Sequence, residues 1–249
     1  MKLKNPNLIY GSRVVIEAID AGKEIDKLFI QKGLSNELVS ELRTKLRENN
    51  IPYQLVPVEK LNRITRKNHQ GVVGFLSEIS YQDIYNLVPM LFEQGKNPFI
   101  VVLDGVTDVR NMGAIARTCE CAGVNAILMP IKGSAQINAD AIKTSAGALH
   151  KIPVCRVPSL KSAVKYLQEC GIQLVASTEK TSNLYYNIDL TTPSAIIMGS
   201  EEDGVSNDIL RIVDHHAKIP MTGKIGSLNV SVSAGVMIYE VVKQRILSK

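Results

Sequence analysis

Apolar residues fall into two regimes along the chain. From residue 99 onward they come as short, nearly unbroken runs: Phe99-Ile100-Val101-Val102-Leu103, Ala126-Ile127-Leu128-Met129, Pro153-Val154-Cys155-Arg156-Val157, Ile172-Gln173-Leu174-Val175-Ala176, Ala195-Ile196-Ile197-Met198 and Ala217-Lys218-Ile219. Runs this short, with little alternation of polar and apolar positions, mark strands buried on both faces. Helices are expected between most of them, over 111–122, 138–149, 159–169 and 206–213, with a last long helix from Ser227 to about Leu247. Strand and helix alternating in this way predict an α/β unit, a mainly parallel sheet with helices on both faces.

The first 78 residues follow another pattern. Leu28-Phe29-Ile30, Tyr53 to Val56 and Val72 to Leu76 read as short strands. Leu38, Val39, Leu42 and Leu46 recur at helical spacing within Asn36–Asn49, and Pro57–Ile64 reads as a short helix. These small elements predict a compact α/β module over 1–78. Residues 79–97 read as a linker, with a helix over Ile84–Phe92 and a break at Gln94-Gly95-Lys96-Asn97-Pro98. The larger unit then occupies 98–249. No internal repeat or low-complexity segment is visible.

Length and composition restrict the function. A chain of 249 residues forms a core without covalent staples. No apolar run approaches the roughly 18 residues of a membrane span, and Met1 to Asn7 lacks the apolar centre of a secretory signal. Cys119, Cys121, Cys155 and Cys170 form neither a CxxC pair nor a zinc spacing. Reduced thiols, a cytoplasmic location and no metal are the expectation. His69, His150, His215 and His216 likewise lack metal-ligand spacing and read as solvated or structural.

The net charge of +5 is unevenly placed. Residues 1–75 hold 13 Lys and Arg against 8 Asp and Glu, while the remainder balances at 16 and 16. Lys60, Arg63, Arg66 and Lys67, spaced three to four apart, would share one helix face. Such a stripe suits contact with RNA phosphates; a plain solvated face is the other reading.

Three polar segments beside apolar runs carry the candidate chemistry. The first is Asn111-Met112-Gly113-Ala114-Ile115-Ala116-Arg117. Asn111 can cap a helix that holds Arg117, a rigid cationic fork suited to a phosphate or a developing oxyanion; taken alone, Arg117 also reads as a surface residue. The second is Gly199-Ser200-Glu201-Glu202-Asp203-Gly204, after a buried strand. It is neither a P-loop nor GxGxxG, and three acids in a row repel a nucleotide phosphate but tolerate a cationic ligand. The third is Ile219-Pro220-Met221, followed by Ser227-Leu228-Asn229-Val230-Ser231-Val232-Ser233-Ala234-Gly235. Here Ser227 is the expected N-cap of the last helix, with Leu228 and Asn229 in its first turn. Its small residues equally suit plain close packing.

In this order and spacing the three segments resemble the signature of the SpoU/TrmH family of the SPOUT superfamily, RNA ribose 2'-O-methyltransferases that use S-adenosylmethionine (SAM). The resemblance implies a trefoil-knotted, mainly parallel α/β catalytic domain over roughly 97–249, and a homodimer formed through it. Residues 1–78 resemble, less specifically, the family's small substrate-binding domain, whose fold is like that of certain ribosomal proteins; Tyr10-Gly11, the basic cluster and Asn68-His69-Gln70-Gly71-Val72 carry that likeness. The implied catalytic residues are Arg117, Asn111, Glu201, Ser227 and Asn229. The implied SAM contacts are Thr178, Gly199, Ile219 and Leu228. Lys60, Arg63, Arg66 and Lys67 would contact RNA.

A two-domain chain of this kind looks most like the enzymes that methylate a guanosine ribose in bacterial 23S ribosomal RNA. A tRNA ribose methylase and a non-catalytic RNA-binding or ribosome-assembly protein are the alternatives. The family's arginine has been assigned the role of general base, but a guanidinium pKa above about 12 argues for phosphate binding and alkoxide stabilisation instead.

Overall fold

In the computed structural model, which describes residues 7–49 and 51–248, the two apolar regimes become two separate sheets. The first folding unit ends at Ser80 and the second begins at Tyr81. Met1 to Pro6, part of the segment read above as lacking a signal, lie outside the described residues.

The first unit runs β1 (Leu8–Tyr10), α1 (Ser12–Asp20), β2 (Ile25–Gln31), α2 (Glu37–Glu48), β3 (Gln54–Val56), α3 (Val58–Ile64) and β4 (Val72–Leu76). Its strands lie in the order β1-β4-β2-β3, with β4 antiparallel to both neighbours and β3 parallel to β2. The period-two alternation of a strand divides its core. Leu28, Ile30 and Val72 pack with Val15, Ile16 and Ile19 of α1 and with Leu42 and Leu46 of α2. Phe29, Val56 and Val73 pack with Leu61 of α3. Asn36 caps α2 by accepting the Val39 N–H at 2.9 Å.

The basic stripe differs from its expectation. Thr65 is extended, with φ −146°, so α3 stops at Ile64. Lys60 and Arg63 lie on the helix, while Arg66 and Lys67 follow it in the loop. Lys60 sits over the Phe29 ring at 4.9 Å and Lys67 over the Tyr10 ring at 5.3 Å. His69 is structural: its Nδ1 accepts the Gly71 N–H at 3.0 Å and its Nε2 bonds Asn62 at 2.9 Å.

The second unit runs α4 (Ile84–Glu93), β5 (Phe99–Leu103), α5 (Val109–Cys121), β6 (Ala126–Pro130), α6 (Ala139–Thr144), β7 (Val154–Val157), α7 (Leu160–Glu169), β8 (Gln173–Ser177), β9 (Ser194–Met198), α8 (Asn207–Leu210), β10 (His215–Ala217) and α9 (Val230–Leu247). Its six strands are all parallel, in the order β10-β8-β9-β5-β6-β7. Every residue of β5 and β9 is buried, which is why both read as unbroken apolar runs. Within the stretch expected as a linker, Ile84, Leu87, Val88 and Leu91 of α4 are buried in this unit's core. The helix expected over 138–149 breaks after Thr144, where Ala146 and Gly147 take positive φ. The last strand closes at Ala217, two residues before the expected end.

Two details position the site. A Cβ on Gly113 would lie 2.7 Å from Thr144 Cβ and 2.8 Å from the Ala141 carbonyl oxygen, so α5 packs against α6 only with glycine there. At the far end of α9, Arg245 donates to the carbonyls of Asn97 (2.9 Å), Pro98 (3.2 Å), Leu190 (3.2 Å) and Thr192 (2.7 Å). One side chain thereby ties the last helix to the segments that enter β5 and β9.

Candidate functional site

Parallel strands deliver their following loops to one edge of the sheet, and ligands of open α/β sheets bind beside those carboxyl ends where the strand order reverses. Here β5, β6 and β7 extend one way while β8 and β10 lie beyond β9. The reversal falls between β5 and β9, whose ends are level, with Leu103 paired to Met198.

A cavity of about 840 Å³ opens there. Ser177 to Lys180 at the end of β8 and beyond it, Met198 to Gly204 at the end of β9 and beyond it, and the segment from Lys218 to Leu228 between β10 and α9 all contribute to its lining. All four expected cofactor contacts, Thr178, Gly199, Ile219 and Leu228, line it, as do Glu201 and Ser227. A neighbouring hollow of about 310 Å³ is lined by Gly105 to Asp108, Asn111 and Gly133. The two hollows share Ser200, Glu201, Glu202, Asp203 and Val230.

Sequence dictates the loop after β9. A Cβ on Gly199 would lie 2.0 Å from the Gly204 carbonyl carbon and 2.1 Å from the Val205 nitrogen, both backbone atoms that cannot give way. Gly204 takes φ +69°, a region glycine enters at little cost. Ser200 and Gly204 exchange two backbone hydrogen bonds of 3.1 Å, closing a tight loop that lifts Glu201 to Asp203 out of the sheet. Asp104, at the end of β5, anchors the loop's far side by accepting the Ser206 N–H at 2.7 Å.

Three of the expected catalytic side chains meet. Asn111 donates to Glu201 Oε1 at 3.0 Å, and Asn229 donates to the same oxygen at 2.5 Å and to Asn111 Oδ1 at 3.0 Å. They come from the first turn of α5, the loop after β9 and the start of α9, separated by 90 and 28 residues in sequence. Carboxylate-to-amide bonds of this type are charge-assisted and hold all three groups in register.

Two expected caps are corrected. Asp108, not Asn111, caps α5, accepting the N–H groups of Arg110 and Asn111 at 2.9 and 2.8 Å. Asn229, not Ser227, caps α9, accepting the Ser231 N–H at 3.0 Å. Asp and Asn reach the N2 or N3 donors as readily as Ser, so residue type alone did not choose among neighbouring candidates. Ser227 remains on the cavity wall, two residues before the cap.

Arg117 stands apart. It is exposed and lines neither hollow. Six residues of α-helix turn it about 120° around α5 from Asn111 and carry it about 9 Å along the axis. Lys60, Arg63, Arg66 and Lys67 belong to the first folding unit and line neither hollow.

Other lining groups were not singled out by sequence: Lys180 and Lys218 in the large cavity, and Asp108 in the smaller hollow. Their position at the ends of predicted strands and at the start of a predicted helix was the available signal. Among the described residues, no group of three or more His, Cys, Asp or Glu side chains is arranged to hold a metal ion. Burial pushes the Cys119 thiol well up, and Cys155 up to about 12, which makes both poor nucleophiles.

Residues 98–239 match the SpoU rRNA Methylase family, and residues 8–82 match a domain described as RNA 2'-O ribose methyltransferase substrate binding. A Staphylococcus saprophyticus protein described as a TrmH family tRNA/rRNA methyltransferase is 33% identical over 238 residues, covering 96% of each chain. The SpoU methyltransferase AviRb from Streptomyces viridochromogenes, solved with AdoMet, aligns over 96% of this chain and 90% of its own, with 25% identity and a TM-score of 0.62. An AdoMet-bound rRNA methyltransferase from Sinorhizobium meliloti aligns over 95% of this chain and 86% of its own, with 26% identity and a TM-score of 0.61. With the family's model matched across the whole parallel sheet, and a full-length relative at one-third identity, the chain belongs to the SpoU rRNA methylase family and is an RNA methyltransferase of the TrmH/SpoU type.

Proposed function

We propose that this chain transfers the methyl group of SAM to the 2'-hydroxyl of a ribose in RNA. One observation carries the reading: the cavity walled by Thr178, Gly199, Ile219 and Leu228 opens beside the hydrogen-bonded Asn111–Glu201–Asn229 cluster. The cavity's chemistry fits SAM. Ile219, Met221, Ile225 and Leu228 offer apolar contact to a purine, and the acids Glu179, Glu201, Glu202 and Asp203 in the lining favour a sulfonium cation. Lys180 and Lys218, also in the lining, suit a carboxylate. Its size lies within the range of small-molecule sites.

The sulfonium supplies an already activated methyl group. Transfer would break the sulfur–methyl bond, leave S-adenosylhomocysteine and pass the hydroxyl proton to solvent; the protein's part is to hold the ribose in line and to stabilise the oxygen as that proton leaves. In this reading Glu201 and the two asparagines orient the sugar at the join of the two hollows, with Ser227 beside them. Arg117 binds the target phosphate and stabilises the forming alkoxide.

Arg117 reaches a site of this kind through a second copy of the chain. Val232 (51% exposed), Tyr239 (50%) and Ile246 (65%) recur every seven residues and leave an apolar stripe on α9, although its other side is buried against the sheet. An apolar helix face left open in one chain is a face for another, and α5, which carries Arg117, packs beside α9. We therefore assign a homodimer built on these helices. The trefoil knot implied by the sequence resemblance belongs to the same proposal: the segment 218–229 lies against the loops after β8 and β9, where a threaded chain would run.

For the substrate we favour a guanosine ribose of bacterial 23S rRNA, with the first 80 residues capturing RNA through Lys60, Arg63, Arg66 and Lys67, and the reaction taking place in the cytoplasm. The rRNA methyltransferase from Sinorhizobium meliloti is consistent with this choice. Nucleoside mass spectrometry of 23S rRNA and tRNA from a deletion strain tests it. Loss of a 2'-O-methylguanosine from 23S rRNA is the expected result, and loss from tRNA instead would overturn it.

A further inference from the structure

We infer that Ser231 is a positioning residue for the catalytic cluster, acting through Asn229; the inference deepens the proposed methyl transfer and rests on it. Asn229 stands between two sets of partners. Its Oδ1 accepts two hydrogens from Ser231, the backbone N–H at 3.0 Å and the hydroxyl at 2.5 Å. Its Nδ2 donates its two hydrogens to Glu201 Oε1 and Asn111 Oδ1. All the hydrogen-bonding capacity of this amide is therefore committed.

The commitment fixes its direction. Rotating the Asn229 amide by half a turn would set its NH₂ against the Ser231 N–H and its carbonyl oxygen against the Glu201 carboxylate. Both contacts would be repulsive. The amide therefore presents only donors to Glu201. With Asn111 also donating to Oε1, that oxygen takes two hydrogen bonds from the cluster, which favours Oε2 as the acceptor for a substrate hydroxyl.

Ser231 controls this arrangement from outside the cluster. It lies in the first turn of α9 and lines neither hollow. Its side chain contributes only the hydroxyl bond, because the backbone N–H survives any substitution except proline. Removing the hydroxyl leaves Asn229 with one anchor on its oxygen side where there were two, and the amide gains freedom to tilt away from Glu201. A misplaced orienting group lowers turnover more than it lowers binding.

The test compares wild type, Ser231→Ala and Ser231→Thr as full-length proteins, using labelled SAM and RNA. Ser231→Ala is expected to reduce kcat about fivefold, the equivalent of one ordinary hydrogen bond, with KM for SAM and the melting temperature unchanged. Ser231→Thr, which keeps the hydroxyl, is expected to restore at least half of the wild-type kcat. A second readout needs no activity: the Asn229 side-chain amide protons, identified by their loss in Asn229→Asp, should exchange with solvent faster in Ser231→Ala than in wild type. If Ser231→Ala keeps both the wild-type kcat and the wild-type exchange rate, Ser231 has no positioning role. If its exchange quickens as expected while wild type methylates no RNA, the positioning stands and the methyl-transfer reading fails. A Ser231→Thr enzyme as slow as Ser231→Ala would also overturn the inference.

Discussion

Individual side chains divide into those whose geometry is fixed by the fold and those that wait for a partner. Gly199 is of the first kind. Replacing it with alanine sets a methyl carbon against the backbone of Gly204 and Val205. Gly199→Ala should therefore lower stability by about 1–3 kcal/mol and abolish SAM binding, as checked by thermal unfolding and titration calorimetry. Arg117 is of the second kind, exposed and without a role in the single chain's hollows. Arg117→Ala is expected to leave unfolding and SAM affinity unchanged and to cut methyl transfer about a hundredfold or more. A fully active Arg117→Ala enzyme would remove the role assigned to it. Sequence identified both residues through the motif, but not their physical reasons. The Gly199 constraint depends on a backbone contact five residues ahead, and the place of Arg117 outside both hollows depends on how α5 packs in the folded unit.

At the scale of elements, periodicity was most informative where burial is complete. The strands β5 and β9 were visible as apolar runs because no face of either meets water. Legibility fell where local chemistry offered several choices. Asp108 and Asn111 both suit a cap, as do Ser227 and Asn229, and tertiary contacts selected Asp108 and Asn229. The short first-unit elements α1 and β1 are not among the expected elements, although Val15, Ile16 and Ile19 carry a helical spacing. A last long helix is legible in the sequence, but its fastening is not, because Arg245 reaches carbonyls as much as 148 residues away. Arg245→Ala should cost about 2 kcal/mol, since charged hydrogen bonds to several carbonyls are lost from a half-buried site. Arg245→Lys should recover only part of it, because an ammonium lacks the planar fork. Chemical denaturation of the three proteins measures both effects.

The whole molecule assigns separate tasks to its two units. A positive charge excess confined to the first third, and a cavity confined to the second unit, mean that RNA affinity and SAM affinity should be separable by mutation. Neutralising Lys60, Arg63 and Arg66 together is expected to weaken RNA binding and to reduce the slope of log affinity against log salt by about two to three, while SAM binding stays at its wild-type value. An unchanged slope would move the RNA surface elsewhere. Matches to the family cover both units, which is why the broad activity follows from the chain as a whole while the choice of RNA does not.

The most direct measurement incubates the purified protein with methyl-labelled SAM and bacterial ribosomal RNA, digests the RNA to nucleosides and locates the label. Label on the ribose 2'-oxygen of a nucleoside, absent with the Arg117→Ala protein, is the predicted result. Label on a base nitrogen, or transfer undiminished in Arg117→Ala, would contradict the account.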